Sequence, residues 1–455
     1  MLTTWRKKSS RYGRSGDYLN QFSVSSQTST GSRPTTLEEF KMIPLEAKKA
    51  EFGSPLRVEF VDGLRGTAAL IVLLWHVIAV FSPAAANGVS SISHSSWEVF
   101  LFHSPITFFY KGSFAVCLFF VLSGFILTLS FFEAGDSSII YIRALSRYTR
   151  LVIPAGFSSL FAALLINFNL YYIQELSLLN GANQVLDYTN LFKLPVDITH
   201  LLKSVLLDVC FGNSEFSELY NLVLWTMPVE FLGSILVFIF SLSAYKSKFS
   251  LINIVVIAFF FLIINKRFEI FLLSFLIGAT LARFHRSLPR FNSIQVSSLL
   301  LVSLYLGGFG ESSKSYAYLT VLKPLLLRLN LDINVFMHFL ASVIMLYLAI
   351  TSESIGSFFS KRFFVYFGFI SFPLYLIHQP LVNSLSSWII LRWGSTFGYN
   401  LVCLVSFLIL VAVAIPFAHL MKITIDDFAT HWSKTIAKKL LILLKKSYII
   451  RLSRG

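Results

Sequence analysis

Residues 58–81, VEFVDGLRGTAALIVLLWHVIAVF, decide how this chain must fold. The stretch is mostly apolar and long enough for the roughly 20 helical residues that cross a bilayer core. It nevertheless contains Asp62, Arg65 and His76. At about 100° per residue, the step from Arg65 to His76 leaves roughly 20° after whole turns, and that from Asp62 to His76 roughly −40°. All three share one stripe of a helix, with Asp62 and Arg65 at one end and His76 roughly 16 Å further along. Ionisable groups at membrane depth are costly and face partners or a cavity inside the protein, so each is a functional candidate.

The rest of the chain has the same character. Of its 455 residues 55% are hydrophobic and 13% charged, with 47 Phe and a mean hydropathy of +0.70. Soluble domains carry roughly a quarter charged residues, so a water-soluble enzyme is excluded. Apolar runs broken by charge or turn clusters predict about ten spans, near 60–82, 113–132, 151–173, 221–243, 249–265, 268–285, 294–310, 333–351, 368–391 and 399–421. The fold class expected is an all-α polytopic membrane protein. Its three cysteines, Cys117, Cys210 and Cys403, supply neither a disulfide framework nor a zinc site.

Lys and Arg number 38 against 23 Asp and Glu, a net charge of +15. In a soluble chain that excess would raise nucleic acid as a partner; in a membrane chain it reports topology and contact with anionic lipid. With ten spans both termini share one side, and 28 of the 37 basic residues outside the first helix fall there. Both termini are therefore predicted cytosolic, with Lys266 and Arg267 on the disfavoured side, and no nucleic-acid partner is expected. Residues 1–55 read as a disordered basic tail without the apolar core of a signal peptide, 56–421 as the membrane domain, and 422–455 as a basic amphipathic tail. The stretch HWSKTIAKKLLILLKKSYIIRL, 431–452, suits a helix lying on the inner leaflet, a plain anchor without a catalytic part. The loop from about 174 to 220 carries six acids against Lys193 and Lys203 and is placed to cap the outer mouth of a cavity.

Further polar residues interrupt the apolar runs. His76 is suited to take a proton from a hydroxyl and return it to a leaving group, although an intramembrane His also serves as an interhelical hydrogen-bonding residue. YIRALSRYTRLVIP places Arg143, Arg147 and Arg150 before the third span. Arginine grips phosphate bidentately, and Arg147 and Arg150 share a helix face; a topogenic cluster is the alternative. In ELYNLVLWTMPVEFLGS, Glu230 requires a partner, for which Arg65 is one choice, and Trp225 serves either a ligand or the aromatic belt. His378 stands between Pro373 and Pro380, where a kinked or broken helix beside a cavity is expected; a structural hydrogen bond is the other option.

VEFVDGLRGTAALIVLLWHV, CLFFVLSGFILT, RYTRLVIP, LWTMPVEFLGS and FGFISFPLYLIHQPL, in this order, resemble the membrane acyltransferase-3 family, in the style of its fungal branch. The resemblance covers about residues 56–420 and implies a bundle of about ten helices. It implies transfer of an acyl group, commonly acetyl, from acyl-CoA to a hydroxyl of an acceptor, with membrane lipid as surroundings and no metal. The family's catalytic histidine falls on His76, and the acidic and basic positions before it on Asp62 and Arg65. Its Arg-x-x-Arg donor motif falls on Arg147 and Arg150, and its Trp and Glu on Trp225 and Glu230. Two departures, Asn221 for a Ser and Ser234 for a Tyr, bear on the acceptor side. Some relatives fuse an extracytoplasmic hydrolase-like domain; here only the basic tail follows the last span.

The mechanism expected has Arg147 and Arg150, with Arg143, holding CoA phosphates while the pantetheine arm reaches His76 as base or acyl carrier. Asp62 and Glu230 support catalysis, and Arg65, Trp225 and His378 the substrate. A transporter using His76, Glu230 and His378 as a proton or solute path is the rival. A plasma membrane and an internal membrane fit equally, as do carbohydrate, lipid and small-molecule acceptors.

Overall fold

The structure is a computed structural model that describes residues 58–193, 197–212, 219–245 and 269–452. The basic tail 1–55 and the expected fifth span, 249–265 with Lys266 and Arg267, lie outside the described residues. All regular structure described is helical. The protein is an all-α polytopic membrane protein, and among the described residues seven helices are long and apolar enough to cross a bilayer.

The principal helices are α1 (Glu59–Phe81), α2 (Gly112–Ala134), α3 (Ser137–Asn167), α4 (Met227–Ala244), α5 (Glu269–Phe284), α6 (Ser293–Gly307), α7 (Ile333–Thr351), α8 (Arg362–Leu381), α9 (Ser387–Phe397), α10 (Tyr399–Met421) and α11 (Asp427–Leu452). Polar residues set several of their ends. Asp136 accepts from the Ser138 amide at the start of α3, and Asp332 from Val335 at the start of α7. Asn292 and Gln295 form a reciprocal capping box on α6.

At the centre α1 lies against α8 and α2, and α2 against α5. Glycine permits both close crossings. A Cβ at Gly368 would stand 2.0 Å from the Asp62 carbonyl oxygen, and one at Gly124 2.0 Å from that of Phe275. Small residues let backbones approach where lipid supplies no hydrophobic drive between helices.

Two segments run on as helix where prolines or charges suggest a break. Pro373 and Pro380 do not break α8. A π-helical turn, Val382–Ser386, follows Pro380 and joins α8 to α9, so Arg362–Phe397 is one apolar helical run. Hydroxyls take up carbonyls there, Ser384 donating to Pro380 at 2.7 Å and Ser387 to Val382 at 2.9 Å. The basic C-terminal stretch is continuous with the last span: α10 continues through a π-helical turn, Lys422–Asp426, into α11, which packs on α3. No Pro or Gly between 422 and 452 interrupts it.

Candidate functional site

Among the described residues, two of the cavities bring together side chains singled out above, and α1 lines both. The first, about 650 Å³, is lined by Arg65 of α1, Ser123 of α2, Arg147 and Arg150 of α3, Glu230 of α4 and Tyr375 of α8. Arg147 ion-pairs with Glu230, their side chains 12% and 15% exposed, and Ser123 donates to the same carboxylate oxygen at 3.0 Å. The buried Nε of Arg147 has no hydrogen-bond partner. Arg150 ion-pairs with Asp426, which also takes Lys422 at 2.8 Å, and its guanidinium lies 5.8 Å from the centre of the Phe372 ring. The pair that Glu230 requires is therefore made with Arg147, across helices, and not with Arg65. Asp426 was not singled out in the sequence; the only signal was that helical periodicity runs on through KITIDD without a breaker.

Arg143 belongs to neither cavity lining. Its guanidinium donates to the Leu127 carbonyl and the Ser130 hydroxyl near the end of α2. It ties α3 to α2 there, a separate task from that of Arg147 and Arg150.

The second cavity, about 1000 Å³, is lined by His76, Lys111, Ser113, Tyr188, Trp225 and again Tyr375. Trp225 thus faces a cavity and touches Phe271, with ring centres 5.6 Å apart. Val185, Leu186 and Tyr188 come from the long loop after α3, so that loop contributes to the wall of the cavity containing His76. Burial pushes the Lys111 ammonium down to about 8, so part of it is neutral at mildly alkaline pH.

His76 and His378 lie side by side, ring centres 5.0 Å apart and planes inclined at 47°. His378 is buried, with Nδ1 3.0 Å from the Leu374 carbonyl and no partner at Nε2. A carbonyl only accepts, so Nδ1 carries the hydrogen and Nε2 presents its lone pair. His378 therefore has the structural hydrogen bond and also adjoins the histidine of the cavity. Asp62, at the far end of the α1 stripe, is half-buried beside Gly368 and lines neither cavity.

Val116 and Tyr375 line both cavities and form their common wall. The Tyr375 hydroxyl is fixed by the Val223 carbonyl at 2.7 Å and the Thr226 hydroxyl at 2.8 Å, so its ring stands at a defined position. Neither residue carried a sequence signal of its own, because an aromatic and a Val in apolar helices look like core. Ser123 lies in a motif quoted above without a role; its position against Glu230 needs the α2–α4 contact to appear. Among the described residues no group of three or more His, Cys, Asp or Glu converges as metal ligands would.

The arrangement separates two chemistries. One chamber gathers guanidinium groups, Arg147 and Arg150 each facing a carboxylate, a chemistry that can receive an anion. The other is lined by His76 and Lys111, nitrogen bases of a kind that can move protons. Residues 58–421 match the sequence model of the acyltransferase-3 family, described as an acyltransferase domain. No curated protein and no solved structure matches the chain.

Proposed function

This chain belongs to the acyltransferase-3 family, and from that premise we propose that it moves an acyl group, acetyl in the simplest case, from acyl-CoA to a hydroxyl of an acceptor. The single observation that supports this most is the wall shared by the two cavities, Val116 and Tyr375, with Arg147 and Arg150 on one side and His76 on the other. A donor with its phosphates among the arginines and a long flexible arm passing Tyr375 brings its thioester to His76.

Phosphate binding in the first cavity is an exchange. Arg147 and Arg150 already face Glu230 and Asp426, so an anion either joins these pairs or displaces the carboxylates. The free Nε of Arg147 offers one donor without any displacement. Arg65 adds a third cation to the same chamber, which sets its role toward the donor as well as the substrate. At the other end His76 takes the proton of the acceptor hydroxyl as its oxygen attacks the acyl carbonyl, and the departing group receives a proton in turn. The unprotonated Nε2 of His378 beside it is suited to orient His76 or share its proton. Trp225 gives the acceptor an apolar face on which to lie. We assign the donor side to the cytosolic face, where the basic residues accumulate.

Purified protein given labelled acetyl-CoA tests this directly. His76→Ala should lower transfer by about 100-fold or more. Arg147→Ala with Arg150→Ala should raise the KM for the donor with a smaller effect on kcat. Acetyl-CoA should also raise the melting temperature of the wild type. Undiminished transfer by His76→Ala, or unchanged donor use by the double variant, would overturn the respective assignment.

A further inference from the structure

The His76 cavity is lined by a serine, Ser113, that the mechanism above leaves unused. Ser113, in the first turn of α2, lines the cavity, and its Oγ lies 2.9 Å from Nδ1 of His338 on α7. His338 is fully buried, and its Nε2 lies 3.0 Å from the Phe309 carbonyl oxygen. Since the carbonyl only accepts, Nε2 carries the hydrogen of the neutral ring. Nδ1 is then the acceptor, and the Ser113 hydroxyl donates to it. A hydroxyl, a base in hydrogen-bond reach of it, and a third group fixing the tautomer of that base make up the geometry of an activated nucleophile. The third group here is a neutral carbonyl, which orients the imidazole but gives a protonated ring less support than a carboxylate would.

A purely structural bracket between α2, α7 and the segment at Phe309 would explain the two hydrogen bonds. It would not call for Ser113 to line the same cavity as His76, with Lys111 one residue before α2 lining it too. A cation there suits the oxyanion that forms when a thioester or ester carbonyl is attacked.

We propose that Ser113 carries the acyl group covalently between donor and acceptor, with His338 as its base; this rests on the acyl-CoA reading given above. In the first half, Ser113 Oγ attacks the thioester carbonyl and its proton passes to His338 Nδ1. The C–S bond breaks, and the CoA thiolate takes that proton and leaves as the thiol. In the second half, the acceptor oxygen attacks the Ser113 ester while His76 takes the acceptor's proton. The bond to Ser113 Oγ breaks, and the proton taken by His76 restores the serine hydroxyl. Both imidazoles end as they began, and the sum is transfer of one acyl group from sulfur to the acceptor hydroxyl.

The test uses the full-length protein in detergent with radiolabelled acetyl-CoA and no acceptor. Wild type should release free CoA in a stoichiometric burst and carry hydroxylamine-labile label on the peptide containing Ser113. Ser113→Ala should lose burst and label to background, while Ser113→Cys, with a comparable melting temperature, should regain label as a thioester. His76→Ala should keep the label and fail to turn over, which a merely structural Ser113 would not produce. Label on His76, or no label on Ser113 in a wild type that acetyl-CoA stabilises against heat, would overturn the carrier role and leave the donor reading standing. No CoA release together with no thermal stabilisation would overturn the donor reading and the carrier with it.

Discussion

Glu230 shows what a single side chain can and cannot disclose. An acid within an apolar run must have a partner, because an uncompensated carboxylate at that depth is costly. Which cation answers it depends on the helix standing opposite, and that is Arg147 of α3. Helical spacing relates residues on one helix only, so Arg65, aligned with His76, was an equally open choice in the sequence. The three arginines of α3 make the same point: one segment, yet Arg147 and Arg150 line the first cavity and Arg143 is taken up by α2. Removing Glu230 should therefore expose how far the fold depends on the pair. Glu230→Ala leaves Arg147 largely buried without its carboxylate, and a loss of about 3–5 kcal/mol is expected for a broken buried pair. Equilibrium unfolding or a melting curve in detergent measures it. Glu230→Gln, which keeps the Ser123 hydrogen bond, should lose less, and equal stability of all three proteins would sink the claim that the pair is structural as well as functional.

At the scale of elements, the helices α1 and α8 carry His76 and His378, and their separation sets the contact between the two rings. That separation is set in turn by glycine. A methyl group at Gly368 would meet the Asp62 backbone at 2.0 Å, and backbone cannot swing aside as a side-chain tip can. Gly368→Ala should force the helices apart, cost about 1–3 kcal/mol as overpacking does, and depress transfer along with the melting temperature. Gly394→Ala is the control, since its added carbon would meet Ile390 and Tyr399 at an ordinary 3.7 Å. Equal effects of the two substitutions would mean that the crossing is not what positions the histidines. Hydropathy made the spans legible, as apolar length is a local property. It did not make the π-helical turns legible. The joins at 382–386 and 422–426 lie where prolines and charges suggest breaks, and only tertiary packing of α9 and α11 shows that the helices run on. By the second of these joins the C-terminal stretch becomes the source of Asp426, the partner of Arg150.

Across the whole chain, charge is distributed unevenly. Basic residues outside the first helix crowd toward one predicted side, which includes the ends of the chain and the approach to Arg147 and Arg150. Reporters fused to either terminus should therefore both read as cytosolic, and termini on opposite sides would overturn the even number of spans and the direction assigned to the donor. The order of residues determined by itself that the chain lives in a membrane, that it is helical, and that Asp62, Arg65 and His76 share a stripe, because burial in lipid and helical periodicity act along the chain. Tertiary structure alone decided that this stripe is divided, with Arg65 in one cavity and His76 in another, and that Tyr375 and Val116 stand between them. It alone brought Ser113 to His338, residues 225 positions apart. Cavities, cross-helix ion pairs and activated hydroxyls are made by surfaces of different helices meeting, and the choice of which surfaces meet rests on close approaches such as those at Gly124 and Gly368, which no local period in the sequence encodes.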